Sequence, residues 1–339
     1  MVSMKDIAKE CGVSVAAVSK ALSGQPDISE ATRSKVKQAA EKLGYQPNSA
    51  AKVLRTHRSH NIGVLFVDVA HNGLTNEFFA LLLDSFKRVA DSKGYDITFI
   101  NRGLADGNVG SMSYLTHARY RAFDGVLMAC VDFKDPEVCE LALSDIPVVT
   151  IDYAYENRMS VFSDNINGIR ELVVYCAKMG HRKIAYVHDN NGTSVSNERL
   201  SSFKETMEGL GLPLPEEYLP EAEYRRTEGT RKATEKLLAL KDRPTCILYP
   251  DDFSALGGIA AIKAAGLEIP KDISVVGYDG IRMGKNLSPS LTTLRQPTEL
   301  MGETAAQKLI SLIETPAETR IEKTVLKGRL YEGESVARL

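Results

Sequence analysis

The chain has 339 residues, 43% hydrophobic and 25% charged, which excludes a disordered or fibrous protein and predicts two or three globular domains. The net charge of −2 hides an asymmetry, since residues 1–60 carry +5 and the remainder −7, as expected of a polyanion-binding head on a different kind of body. Cysteines at 11, 130, 139, 176 and 246 are odd in number and form no C-x-x-C pair, which argues against a disulfide framework or a zinc site.

The first 46 residues predict three short helices. Ser3 caps the first, with Asp6 three residues on and Ile7 and Ala8 on its apolar side. Cys11-Gly12-Val13 predicts a tight turn, because glycine accepts backbone conformations that other residues resist. Ser14 caps a second helix to about Leu22, with Val15, Val18 and Leu22 at i, i+3 and i+7. Gly24-Gln25-Pro26 breaks the chain, Ser29 caps a third helix from Glu30 to Leu43, and Gly44 stops it. Pro47 to Thr56 is too short for a stable isolated helix and predicts a linker that is helical only when held.

From Ile62 the pattern becomes strand and helix in alternation. IGVLFVDV, DITFINR, GVLMACV and PVVTIDY are apolar runs interleaved with helical stretches such as Asn76–Lys93. After Phe162 the pattern restarts with KIAYVHD, CILYPD and ISVVGYD, between helices such as Asp164–Met179 and Asp252–Ala265. Such alternation predicts parallel sheets covered by helices on both faces, and two successive sets predict two lobes.

A helix, a glycine turn and a second helix capped by Ser14 have the order of a DNA-reading helix-turn-helix, whose second helix enters the major groove. Val15, Ala16, Ser19 and Lys20 then face the groove with Ala17 beside them, the small residues against thymine methyls and Lys20 toward guanine O6 and N7. A three-helix docking domain with a solvated outer face is the alternative. Six histidines lack metal spacing, and no G-x-S-x-G, Walker or G-x-G-x-x-G motif occurs, so no metal, cofactor or enzyme activity is expected. His181 reads as a turn residue at a helix end. The first 22 residues lack the apolar core of an export signal and no run has the length of a membrane span, so a cytoplasmic protein is expected.

Two stretches carry a family resemblance. MKDIAKECGVSVAAVSKALSG with ISEATRSKVKQAAEKLGYQPNSAAKVLR resembles the DNA-binding head and hinge of the lactose/galactose repressor family. IPKDISVVGYDG with SPSLTTLRQPTELMGETAAQKLI resembles the same family's core, and the similarity runs in register through the whole chain. It implies an α/β protein: a three-helix helix-turn-helix head, a hinge helix, and a two-lobed core like periplasmic sugar-binding proteins. The expected boundaries are 1–46 for the head and 47–58 for the hinge. One lobe takes 60–161 plus about 291–323, the other 162–290 plus about 324–339.

The resemblance further implies a homodimer on palindromic double-stranded operator DNA, repressing genes under control of a small effector, expected to be a sugar or related metabolite. Its DNA-binding set maps onto Ser14, Val15, Ala16, Ala17, Ser19 and Lys20, with Asn48, Ala51 and Leu54 in the hinge. Leu54 takes the place of an apolar wedge that unstacks a base step in the minor groove. Its effector set maps onto Asp152, Tyr153, Asp251 and Asp279 at the ends of strands, where open parallel sheets bind ligands, and onto Phe78 and Phe79 at the start of the first core helix and Arg199 on the helix after KIAYVHD. Asp252 reads instead as a helix N-cap. Lys20 replaces a frequent Arg, Ala17 a frequent Thr and Gly333 a frequent Arg, and no leucine heptads follow the core. A sugar-binding transport receptor without DNA function is the competing expectation, and it leaves the basic head unexplained.

Overall fold

The computed structural model describes residues 2–46, 58–67, 73–105, 108–189, 192–223 and 226–339. The predicted hinge residues Asn48, Ala51 and Leu54 lie outside them. Contacts divide the chain into two units, Met1–Ser59 and His60–Leu339.

In the first unit, α1 (Met4–Cys11), α2 (Val15–Leu22) and α3 (Glu30–Lys42) start where the sequence predicts. The Asp6 carboxylate accepts from the Ser3 N–H and Oγ (2.8 and 2.7 Å). Ser14 Oγ accepts from the Ala17 N–H (3.1 Å) and Ser29 Oγ from the Thr32 N–H (3.3 Å). Gly12, at φ 64, makes the turn that swings α2 away from α1. Ile7, Cys11, Val18, Ala21, Val36 and Ala40 form the core. Val15, expected on the apolar stripe, is 42% exposed instead, while Ala21 takes the inner position.

The second unit contains two sheets. The first is ordered β10-β5-β4-β3-β1-β2, all parallel, where β1 is Asn61–Phe66, β2 Asp96–Ile100, β3 Gly125–Ala129, β4 Val148–Ile151, β5 Met159–Ser163 and β10 Lys323–Leu326. The second is ordered β11-β9-β8-β7-β6, where β6 is Ile184–Tyr186, β7 Cys246–Leu248, β8 Ser274–Asp279, β9 Thr292–Arg295 and β11 Arg329–Tyr331, the last antiparallel. Beyond Val187 the chain continues as His188–Asp189, paired in parallel with Glu221–Ala222. The first sheet therefore winds outward in both directions from β1, and the second does so from β6 once the His188–Asp189 pairing with Glu221–Ala222 is counted, leaving a crevice at the strands' carboxyl ends.

Helices cover both faces of each sheet, which is why β3, β4, β5 and β8 are buried at every position. The helices that follow strands are α4 (Glu77–Ser92), α5 (Tyr114–Tyr120), α6 (Pro136–Ala142), α7 (Asn165–Lys178), α8 (Ser194–Gly209), α9 (Thr227–Leu238), α10 (Asp252–Ala264), α11 (Arg282–Lys285) and α12 (Thr298–Glu314). Met301, Ala305 and Leu309 of α12 pack with Leu82 and Phe86 of α4 onto Ile62, Leu127 and Val149. His181 sits in the predicted turn after α7, buried between Thr245 Oγ1 (2.9 Å) and the Ala337 carbonyl (3.1 Å). Gly333 admits no side chain here, since a Cβ would lie 2.5 Å from the Ser290 carbonyl oxygen.

The lobes exchange chain three times: from β5 into α7, from β9 into α12, and from β10 into β11. The predicted boundaries fell short of these points. Thr292–Arg295 belongs to the second sheet although residues from about 291 were allotted to the first lobe. Thr324–Leu326 completes the first sheet against β5 although it was allotted to the second. Strand pairing decided both, Thr292 with Val276 in the second sheet and Lys323 with Ser160 in the first. Among the described residues no helix is long and apolar enough to cross a membrane.

Candidate DNA-reading face and ligand cleft

On α2 the residues alternate between core and solvent with helical period. Val18 and Ala21 are buried, Ala17 and Ser19 half-buried, and Ser14, Val15, Ala16 and Lys20 exposed. The exposed set presents small side chains, a hydroxyl and one ammonium, so it is shallow enough for close approach to base edges. Lys20 is 51% exposed and forms an ion pair with Asp27.

The second unit holds a cleft of about 560 Å³ at the carboxyl ends of both sheets. Phe78 and Phe79 enter from the start of α4, Asp152 and Tyr153 from the end of β4, and Arg199 from the first turns of α8. Phe78 is also part of the core, whereas Phe79 is only half-buried. Tyr153 stacks on Phe133 with ring centroids 4.5 Å apart and planes 6° from parallel, forming a flat aromatic wall.

Arg199 is 7% exposed, so its charge must be met inside the protein. Its Nε donates to Asn165 Oδ1 (2.9 Å), Nη1 donates to the Pro250 carbonyl (2.9 Å), and its guanidinium carbon lies 3.7 Å from the Tyr278 ring centroid. Three neighbours, on α7, on β8 and in the connection from β7 to α10, thus fix the plane of the guanidinium. Asp152, at φ 57, accepts the Ser163 N–H (3.0 Å) on Oδ1, while its carbonyl accepts from Ser194 Oγ (3.3 Å) at the start of α8. Burial pushes its carboxyl up to about 6, against the pull of the Ser163 N–H and Arg199.

Two expected ligand residues stand elsewhere. Asp251, not Asp252, is the N-cap of α10: its oxygens accept from the Ser254 N–H (2.8 Å) and Oγ (2.6 Å), fully buried and off the cleft wall. Asp252, one residue on, accepts from the Ile281 N–H (2.9 Å) and Thr293 Oγ1 (2.6 Å), and burial beside Asp279 raises its carboxyl well above the usual range. Asp279 also lies behind the wall, where it accepts from Gln296 Nε2 (2.6 Å), and Gln296 is the residue that lines the cleft. A one-residue change in where a helix begins turns a side chain from cleft to interior, which sequence cannot resolve.

Sequence reasoning passed over several lining residues. Asp132, Phe133 and Lys134 follow β3, and Asp189 follows β6 and accepts from Ser196 Oγ (2.8 Å). Glu223, Arg226 and Gln296 also line the cleft. Extending the strand-end rule to β3 would have found the first three. Among the described residues no His, Cys, Asp or Glu cluster has the makings of a metal site.

Comparison with known proteins matches residues 3–48 to a model described as bacterial regulatory proteins, lacI family, and residues 173–336 to a periplasmic binding protein-like domain. The probable HTH-type transcriptional repressor ExuR of Bacillus subtilis (strain 168) is 34% identical over 100% of this chain and 99% of its own length. The HTH-type transcriptional repressor PurR of Photobacterium profundum is 31% identical over 92% of each. Among solved structures, the lac repressor dimer bound to operator and an anti-inducer superposes with a TM-score of 0.82 at 24% identity over 99% of both chains. The regulator CelR in complex with cellobiose gives 0.70 at 25% identity over 99% of this chain and 100% of that one. A LacI-family regulator from Enterococcus faecium with bound ribose gives 0.69 at 26% identity, over 82% of this chain and 99% of its own.

Proposed function

We propose how this chain, which belongs to the lacI family of bacterial regulatory proteins and is a DNA-binding transcriptional repressor, is switched: a small polyhydroxylated effector, a sugar or close relative, binds the cleft of the second unit and alters operator affinity. One observation carries the proposal. A buried guanidinium held in a fixed plane by Asn165, Pro250 and Tyr278 faces a cleft walled by aromatic rings. Such a group directs N–H donors at hydroxyl oxygens, Asp152 and Asp189 supply acceptors, and aromatic faces cover a sugar's C–H side. The bound cellobiose and ribose in two related regulators support the same ligand class.

On the DNA side, two copies of the head read the two halves of a palindrome from the exposed face of α2, and a two-fold pair of chains sets their spacing. Ser14, Val15, Ala16, Ala17, Ser19 and Lys20 are the proposed contacts in the groove, with Asn48, Ala51 and the wedge Leu54 beyond the described residues. Phe78, Phe79, Asp152, Tyr153 and Arg199 are the proposed effector contacts, Gln296 joins them with Asp279 behind it, and Asp251 serves α10. A repressor of this kind works where its operator is, in the cytoplasm. The test selects a binding site from a random duplex pool, screens a carbohydrate panel by thermal shift, and titrates the selected duplex with and without the compound that stabilises most. Arg199→Ala is expected to bind the duplex as wild type does and to ignore the compound. A variant that still responds refutes the cleft as the sensing site.

A further inference from the structure

Lys20 does not stand alone on the exposed face of α2. Its ammonium is paired with the carboxylate of Asp27, seven residues on, each side chain about half exposed at 51% and 52%. An isolated surface pair of this kind orders little. Here, however, the segment carrying Asp27 is clamped. Arg33, whose side chain is 22% exposed, donates from Nη2 to the carbonyls of Gln25 (3.1 Å) and Ile28 (3.4 Å), on either side of Asp27, and from Nη1 to Glu30 (2.8 Å). The Gln25 N–H returns a bond to the Lys20 carbonyl (3.0 Å), and Ile28 packs on the head core. The Lys20 hydrogen bond also holds the Asp27 carboxyl below its ordinary range, so it stays charged.

Resting on the assignment of α2 as the DNA-reading helix, we propose that Asp27 is a specificity-determining residue that acts through Lys20. An unpaired lysine is a mobile point charge, as well satisfied by any phosphate as by a base. Paired with Asp27, the ammonium spends one N–H on the carboxylate and directs the other two along the face of α2, the geometry needed for the O6 and N7 of one guanine. The pair is also neutral, so it adds little to sequence-independent attraction for the duplex. Asp27 thus converts a phosphate-seeking charge into a directed donor.

The experiment uses the full chain and duplex DNA. Wild type, Asp27→Asn, Asp27→Glu and the control Glu41→Gln, which removes the same charge from α3, are each put through selection from a random duplex pool. Each is then titrated over a range of salt against the selected duplex and an unrelated one. Asp27→Asn is expected to lose about tenfold in preference at one base pair per half-site. On the unrelated duplex its log K should fall more steeply with log salt, by about 0.9, the signature of one further phosphate neutralised. Asp27→Glu should keep both properties of wild type, and Glu41→Gln should keep its base preference. Unchanged preference in Asp27→Asn, or equal loss in Glu41→Gln, overturns the proposal while the DNA assignment stands. A wild-type chain that enriches no sequence overturns the DNA assignment and this proposal together.

Discussion

At the scale of single residues, Asp152 joins the two lobes. It sits at φ 57, a left-handed backbone that most residues avoid, with its side chain on Ser163 and its carbonyl on Ser194 Oγ. Its carboxyl is raised to about 6 by burial, so folding takes up a proton between the ordinary value of about 3.9 and about 6. A raised acid gives stability below that window and loses it as pH climbs through it, because the folded state must then hold a costly charge. Asp152→Asn keeps the shape and never carries the charge. Its melting temperature relative to wild type is therefore expected to rise between about pH 4 and about pH 7 and to level off above. A difference that stays flat across this range would show that the carboxyl is not buried as described. Asp252, also raised by burial, is present in both proteins, and the comparison cancels it.

At the scale of elements, the contact of α12 with α4 depends on one missing side chain. A Cβ on Gly302 would lie 2.1 Å from Ser85 Oγ and 2.2 Å from the Leu82 carbonyl oxygen, and the latter belongs to a helix backbone that cannot step aside. Propensity alone favours Gly302→Ala by about 1 kcal/mol, since alanine is the better helix former. Packing opposes it, because forcing two buried helices apart costs about 1–3 kcal/mol. The variant is expected to be destabilised, with a lower urea midpoint, and a higher midpoint would mean that the helices pack less closely than described. Since α12 follows one crossing between lobes and precedes another, the same contact anchors the first lobe between these crossings.

At the scale of the whole molecule, two heads on a palindrome require a two-fold pair of chains, so sedimentation equilibrium at about micromolar concentration is expected to give the mass of a dimer. A monomer at that concentration would contradict the pairing. Effector and operator are expected to be linked reciprocally. The effector changes operator affinity only to the extent that it binds two arrangements of the protein unequally, and the operator must then change effector affinity by the same factor. Titrating the effector with and without saturating operator measures that factor from the other side. Unequal factors would show that a third species takes part.

The helices of the head and the parallel strands were legible in the sequence because each rests on local rules, whereas the lining residues Phe78, Phe79, Asp152, Tyr153 and Arg199 were reached through the family resemblance, with only Asp152 and Tyr153 also marked by a strand end. Caps at Ser14 and Ser29, the turn at Gly12 and uninterrupted apolar runs act within a few residues of chain. Strand ends in turn mark where an α/β crevice opens. Tertiary structure alone decided that Asp251 caps α10, that Asp279 acts from behind Gln296, and that Thr292–Arg295 and Lys323–Leu326 lie in opposite sheets. It also decided which residues hold Arg199 in its plane. Each of these depends on partners tens to more than a hundred residues away, or on the rotation of a side chain by one helical position. Periodicity carries no information about either, because it records which face of an element is apolar and not which distant element that face will meet.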